Sequence, residues 1–186
     1  MYSKLIRALP ESYNLLVIDM QEMIAGHIES KDLEKKLAFI KQVITNANNS
    51  GNIILVESVN PEETCEPVTL EETLSLGTKF EKQYKIGYDA FTACEEAGLD
   101  QKLKRGIPTG IVGGNADCCA YETALGAREH GFNPIMFIEG ILSIQGLVRK
   151  PSKKYDYAFS RYVRAGIPIF LSEDARVPRI IRESDL

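Results

Sequence analysis

The sequence predicts an α/β protein built on a mostly parallel sheet. Three observations carry that prediction. Short apolar runs alternate with amphipathic stretches of helical period along the 186 residues. The runs Leu15-Leu16-Val17-Ile18 and Ile53-Ile54-Leu55-Val56 lack polar alternation, as strands buried on both faces do. A third run, Thr109-Gly110-Ile111-Val112, ends in Gly113-Gly114 and a polar turn, after which a helical pattern begins.

The totals bound the reading. A chain of 186 residues is long enough for one domain with a real core, read here as a single domain over 1–186. The hydrophobic fraction of 44% and charged fraction of 26% are those of an ordinary globular protein. A net charge of −4 and a pI near 5.4 leave no basic footprint, so no nucleic-acid partner is expected. No run of about 18 apolar residues occurs, so no membrane partner is expected either. The stretch Met1-Tyr2-Ser3-Lys4-Leu5-Ile6-Arg7 lacks the apolar centre of a secretion signal, and the expected location is cytoplasmic.

The elements follow in order. Residues 1–14 read as a polar lead-in, with Pro10 breaking any helix. The strand Leu15-Leu16-Val17-Ile18 ends in Asp19, at the strand terminus where open α/β sheets gather functional groups. Residues 31–49 have helical periodicity, with Leu33, Leu37, Ile40, Val43, Ile44 and Ala47 on one face and Gly51 beyond the end. Residues 52–57 form a second buried strand, and 58–84 read as an irregular polar loop above the sheet. A short helix near 99–105 ends at Gly106. Residues 117–130 form the helix that carries Cys119, ended by Gly131. A strand at 133–139, a helix at 155–165 and a last strand at 167–171 follow. Pro168 predicts that this last strand lies at a sheet edge. The tail, 176–186, is charged.

Chemistry gathers at three places. Cys119 stands at a helix start, where unpaired N–H groups and the helix dipole favour a thiolate and can receive an oxyanion. Asp19 supplies a base and Lys85 a cation to orient both. A buried packing cysteine, a helix-capping aspartate and a solvated surface lysine satisfy the same local patterns. The four cysteines, Cys65, Cys94, Cys118 and Cys119, show no paired C-x-x-C spacing, and only His27 and His130 accompany them. No structural zinc is therefore expected. A disulfide between the neighbours Cys118 and Cys119 would be strained, so reduced thiols are the expectation, with a redox pair as a lesser reading. Nucleotide-binding glycine motifs and the serine nucleophile elbow are absent.

These residues resemble the isochorismatase-like cysteine hydrolases, a family that includes nicotinamidases and N-carbamoylsarcosine amidases. Asp19-Met20-Gln21 matches its D-x-Q after the first strand, and Lys85 to Phe91 matches K-x-x-[YF]-[SDA]-A-F. Cys119 lies six residues after Gly113 and four before Thr123-Ala124, a register that selects it over Cys118. The resemblance covers residues 15–171. It implies a Rossmann-like three-layer α/β/α sandwich and a Cys119–Lys85–Asp19 catalytic triad working through a covalent acyl-enzyme. It also implies an oxyanion hole from the backbone N–H groups of Asn115 and Cys119, and a non-proline cis peptide at Gly114–Asn115. The implied partners are a small-molecule substrate and further copies of the chain, as a dimer or larger homo-oligomer.

Departures sharpen the expectation. Ala116 stands where the family usually has threonine. Nicotinamidases place D-x-H after the second strand to bind a metal; here Glu57-Ser58-Val59-Asn60 offers no histidine, so neither metal nor other cofactor is expected. True isochorismatases usually lack the thiol, so Cys119 argues for C–N or acyl hydrolysis, that is, an amidohydrolase. Met23, Ile24 and Tyr88 are the expected pocket residues. A competing reading keeps the fold as a catalytically weak ligand-binding or assembly protein.

Overall fold

The computed structural model describes residues 5–22, 26, 28–47, 51–59, 69–75, 80–92, 98–143 and 151–172. Met23, Ile24, His27, Cys65, Cys94 and the tail lie outside them. The elements are β1 (Leu5–Ile6), β2 (Asn14–Ile18), α1 (Ser30–Ala47), β3 (Ile53–Ser58), α2 (Glu71–Leu74), β4 (Glu81–Lys85), α3 (Leu99–Lys102), β5 (Pro108–Gly113), α4 (Cys119–Glu129), β6 (Asn133–Ile141), α5 (Pro151–Arg164) and β7 (Ile169–Phe170).

The seven strands form one sheet in the order β1-β7-β6-β5-β2-β3-β4, and every pairing is parallel. From β2 the chain steps outward through β3 and β4. It then returns to the other side of β2 and steps outward again through β5, β6 and β7. The order therefore reverses between β2 and β5, and such a switch point opens a crevice at the carboxyl ends of the strands.

Strand side chains alternate between two cores, as the two-residue period demands. Leu16, Ile18, Ile54, Val56, Ile111, Met136 and Ile138 meet Ala120, Ala124 and Ala127 of α4 and Phe159 and Tyr162 of α5. Leu15, Val17, Ile53, Leu55, Val112 and Phe137 meet Phe39, Ile40, Val43, Ile44 and Ala47 of α1. The result is the three-layer α/β/α arrangement. Gly110 lies under Phe137, where a Cβ would stand 2.6 Å from the ring, so the close approach needs a glycine. On α1 the buried face also takes Lys36, whose ammonium donates to the Ile141 carbonyl at 2.8 Å and ties the helix to the end of β6.

Three expectations are corrected. The stretch 58–84 is not irregular throughout: it contains α2 and the edge strand β4. Only Gln83 and Lys85 of β4 are buried, because an edge strand with one covered face needs no continuous apolar run. Pro168 does not mark an edge. It precedes β7, which lies between β1 and β6, and its carbonyl accepts the Met136 N–H at 2.9 Å. The edge on that side is β1, within the stretch read as a lead-in. Helix boundaries move by a few residues, with α4 starting at Cys119 itself and α5 at Pro151. Among the described residues no helix is long and apolar enough to cross a membrane.

Candidate active site

The ends of β2, β4 and β5 bring Asp19, Lys85 and Cys119 together at the switch point. Asp19 follows β2 with φ at 47°, in the left-handed region that non-glycine residues seldom adopt. Its N–H donates to the Val56 carbonyl at 2.8 Å, and its Oδ1 accepts the Ser58 N–H at 2.8 Å. Oδ2 lies 3.1 Å from Lys85 Nζ as a charge contact, with no aligned hydrogen bond.

Lys85 is the last residue of β4 and is fully buried. Its ammonium donates to the Gly87 carbonyl at 2.8 Å, to Ser58 Oγ at 2.5 Å and to Cys119 Sγ at 3.3 Å. A buried cation with an adjacent carboxylate and three further acceptors is satisfied in the way burial requires. The surface-lysine reading is thereby removed.

The turn that leads into Cys119 is built from backbone. Gly113 has φ at 96°, and a Cβ there would stand 2.0 Å from the Ile18 carbonyl oxygen, so only glycine fits. The Gly114 N–H donates to that same oxygen at 2.8 Å, and the Gly114–Asn115 peptide is cis. On the other side, Leu142 N–H donates to Gly113 and Ala116 N–H to Leu142, both at 2.8 Å. The turn is thus clamped between the ends of β2 and β6. The Asn115 carbonyl accepts the N–H groups of Cys118 and Ala120, each at 3.1 Å.

Ala116 lacks the expected threonine hydroxyl, and α5 supplies other ties to the turn. Tyr162, fully buried, donates its hydroxyl to the Ala116 carbonyl, and Arg161 donates to the Asp117 carbonyl at 2.5 Å.

Electrostatics at Cys119 run against the simple helix-start argument. Burial pushes its thiol up to about 12, and the charge of Asp19 and hydrogen bonding to it push the same way; Lys85 pulls down but does not prevail. The balance favours the thiol over the thiolate beside Asp19. Cys118 is also raised, by burial and then by Asp117, while hydrogen bonding to Cys119 and Tyr88 lowers it. Both cysteines are free.

The expected pocket residue Tyr88 is exposed and adjoins Cys118. The segment around it is anchored from below. Asp89 accepts the Phe91 N–H at 2.9 Å, Thr123 accepts the Ala90 N–H at 3.1 Å, and Ala90 and Phe91 enter the core. Sequence reasoning missed Ser58, which touches both Asp19 and Lys85. Its position at the carboxyl end of a parallel strand was the available signal. Gln21, the third residue of D-x-Q, donates to the Ser58 carbonyl at 3.1 Å. Glu57 turns away, accepting from the Thr69 hydroxyl and pairing with Lys82 at 3.5 Å. Among the described residues no group of three or more His, Cys, Asp or Glu side chains is arranged to hold a metal.

No curated protein matches the chain at the level of sequence. Solved structures do share its fold. An N-carbamoylsarcosine amidase from Thermoplasma acidophilum superposes with a TM-score of 0.66 at 18% identity, covering 89% of this chain and 98% of that one. The nicotinamidase of Staphylococcus aureus gives 0.63 at 21% identity, with 88% and 99% covered. A pyrazinamidase of Pyrococcus horikoshii, solved in complex with zinc, gives 0.61 at 18% identity, with 88% and 99% covered. The profile of the isochorismatase domain matches residues 13–174, and the chain therefore belongs to the isochorismatase domain family.

Proposed function

We propose that residues 1–186 form one metal-independent cysteine hydrolase acting on a small amide, carbamoyl or related acyl substrate. One observation carries this reading: a buried ammonium lies 3.1 Å from a carboxylate oxygen and 3.3 Å from a thiol, at the sheet's switch point. Cys119 is the nucleophile, Asp19 the base and Lys85 the cation that orients them. Asp19 Oδ2 takes the thiol proton as Sγ bonds to the substrate carbonyl carbon. The negative charge passes to the carbonyl oxygen, received by the N–H groups of Asn115 and Cys119. Protonated Asp19 then hands its proton to the leaving nitrogen, and the C–N bond breaks to leave a thioester. Water, deprotonated by Asp19, attacks the thioester. The acid leaves, and the proton returns to Sγ.

A thiol held near 12 supports this order of events, because a free thiolate is scarce at neutral pH and a base must act during attack. The donor set supports independence from metal. Glu57 is already committed to Thr69 and Lys82, and no described histidine stands beside it. A small-molecule substrate and a dimer or larger homo-oligomer belong to the same reading by family likeness, and a cytoplasmic setting is proposed with them. Tyr88, with Met23 and Ile24, is assigned to the pocket.

The test is a screen of small amides and carbamoyl compounds with wild type and Cys119→Ala, Lys85→Ala and Asp19→Asn. Turnover lost on the order of a thousand-fold or more in each variant is expected for a nucleophile and its partners acting as a unit. Full activity in Cys119→Ala would sink the proposal. The raised thiol also favours a second reading, a ligand-binding or assembly protein with little turnover. A ligand that raises Tm yet is never hydrolysed would support it.

A further inference from the structure

Ser58 ends β3 and is paired in register with Lys85, which ends β4. In-register residues on neighbouring parallel strands point to the same face, so the hydroxyl is delivered beside the ammonium by the sheet itself. All three polar groups of Ser58 serve the site. Its N–H donates to Asp19 Oδ1, its carbonyl accepts from Gln21, and its Oγ accepts from Lys85 Nζ.

Four electron-rich atoms surround that Nζ: Ser58 Oγ at 2.5 Å, Gly87 O at 2.8 Å, Asp19 Oδ2 at 3.1 Å and Cys119 Sγ at 3.3 Å. An ammonium has three hydrogens. The three hydrogens go to Ser58 Oγ, Gly87 O and Cys119 Sγ, and Asp19 Oδ2 is left with a charge contact alone. We propose that Ser58 is a positioning residue that takes from Lys85 a hydrogen that Asp19 Oδ2 would otherwise receive, and so keeps the nucleophile in its thiol form at rest. The inference rests on the reading of Cys119 as nucleophile.

The direction of the effect follows from what would take the released hydrogen. Without the Ser58 hydroxyl, one N–H of Lys85 turns to Asp19 Oδ2. Donation to Oδ2 neutralises part of the negative charge that opposes the thiolate. Cys119 becomes more acidic. Among the described residues, the charged and titratable groups facing the sulfur are Asp19 beyond β2, Lys85 from β4 and Cys118 ahead of α4. From β3 only Ser58 faces Lys85, since Glu57 is engaged with Thr69 and Lys82.

The experiment is alkylation of the full chain by iodoacetamide from pH 6 to 11, read by mass spectrometry of the peptide bearing Cys119. A Cys118→Ser background removes the neighbouring thiol. Ser58→Ala, Ser58→Val and Ser58→Thr are compared, with Lys85→Ala as control. Ser58→Ala and Ser58→Val are expected to alkylate about five-fold faster from neutral pH upward, as loss of one competing hydrogen bond requires. Ser58→Thr, which restores the hydroxyl in the shape of valine, is expected to keep the wild-type profile. Unchanged or slower alkylation in both hydroxyl-free variants overturns the proposal, as does a threonine variant that behaves like valine. If Lys85→Ala also leaves the profile unmoved, the three-residue reading itself has failed. If Lys85→Ala shifts it and the Ser58 variants do not, only the role of Ser58 has failed.

Discussion

Lys85 carries a charge into a place where burial opposes it, and the groups it meets there set the chemistry of Cys119. Its pull on the sulfur is weaker than burial and the negative charge of Asp19 together, so the thiol titrates near 12. Removing either partner should therefore move Cys119 in opposite directions. Lys85→Ala is expected to push the alkylation midpoint higher still, and Asp19→Asn to bring it down toward the ordinary thiol value of about 8.5. Rates measured across pH decide this. A wild-type midpoint below that value would mean the helix start outweighs burial. The positions of all three residues were legible in the sequence: a strand end marks Asp19, a helix start marks Cys119, and the family spacing alone marks Lys85. The sign of the shift was not. A helix N-terminus can be read locally, whereas burial of the sulfur and the approach of Asp19 depend on strands far apart in the chain.

At the scale of elements, the turn between β5 and α4 is held by neighbours rather than by its own side chains. Gly113 fits because its left-handed φ and its contact with the Ile18 carbonyl exclude any side chain. Gly113→Ala is expected to cost about 3 kcal/mol or more, from the backbone strain and the clash combined, in urea unfolding. Tyr162→Phe removes the hydroxyl that α5 donates to the Ala116 carbonyl. It should cost about 1 to 2 kcal/mol, since it leaves a buried acceptor unpaired. If that variant unfolds at the wild-type urea midpoint, the hydroxyl does not secure the turn. The sequence showed that Ala116 lacks a hydroxyl, but not that a tyrosine 46 residues on would reach its carbonyl. The strand β4 was missed for a related reason. Its polar residues suit an edge, and which strand becomes an edge is decided by the order of the whole sheet.

Across the whole molecule, the raised thiol ties stability to alkaline pH. A group whose folded pKa lies above its unfolded value stabilises the fold below the unfolded pKa and loses that contribution as pH rises through the folded one. For Cys119 the window runs from about 9 to about 12. Cys119→Ala should therefore show a shallower fall in stability across that window, measured by denaturant unfolding at several pH values. Equal slopes in both proteins would show that the sulfur is not held as a thiol. Tyr13 is also raised by burial, with its hydroxyl donated to the Val43 carbonyl at 2.6 Å, so a residual alkaline decline remains in the variant.

The sequence by itself determined the α/β alternation, the buried parallel strands, Asp19 at the end of one of them and Cys119 at a helix start. Apolar runs and helical periods record burial locally, and strand ends in such a sheet share one edge. Only the tertiary structure decided which strands form the edges and that Ser58 touches both Asp19 and Lys85. It also decided that burial and the approach of Asp19 oppose the thiolate of Cys119. Those outcomes depend on register and on distances between distant segments, which no local pattern in the chain encodes.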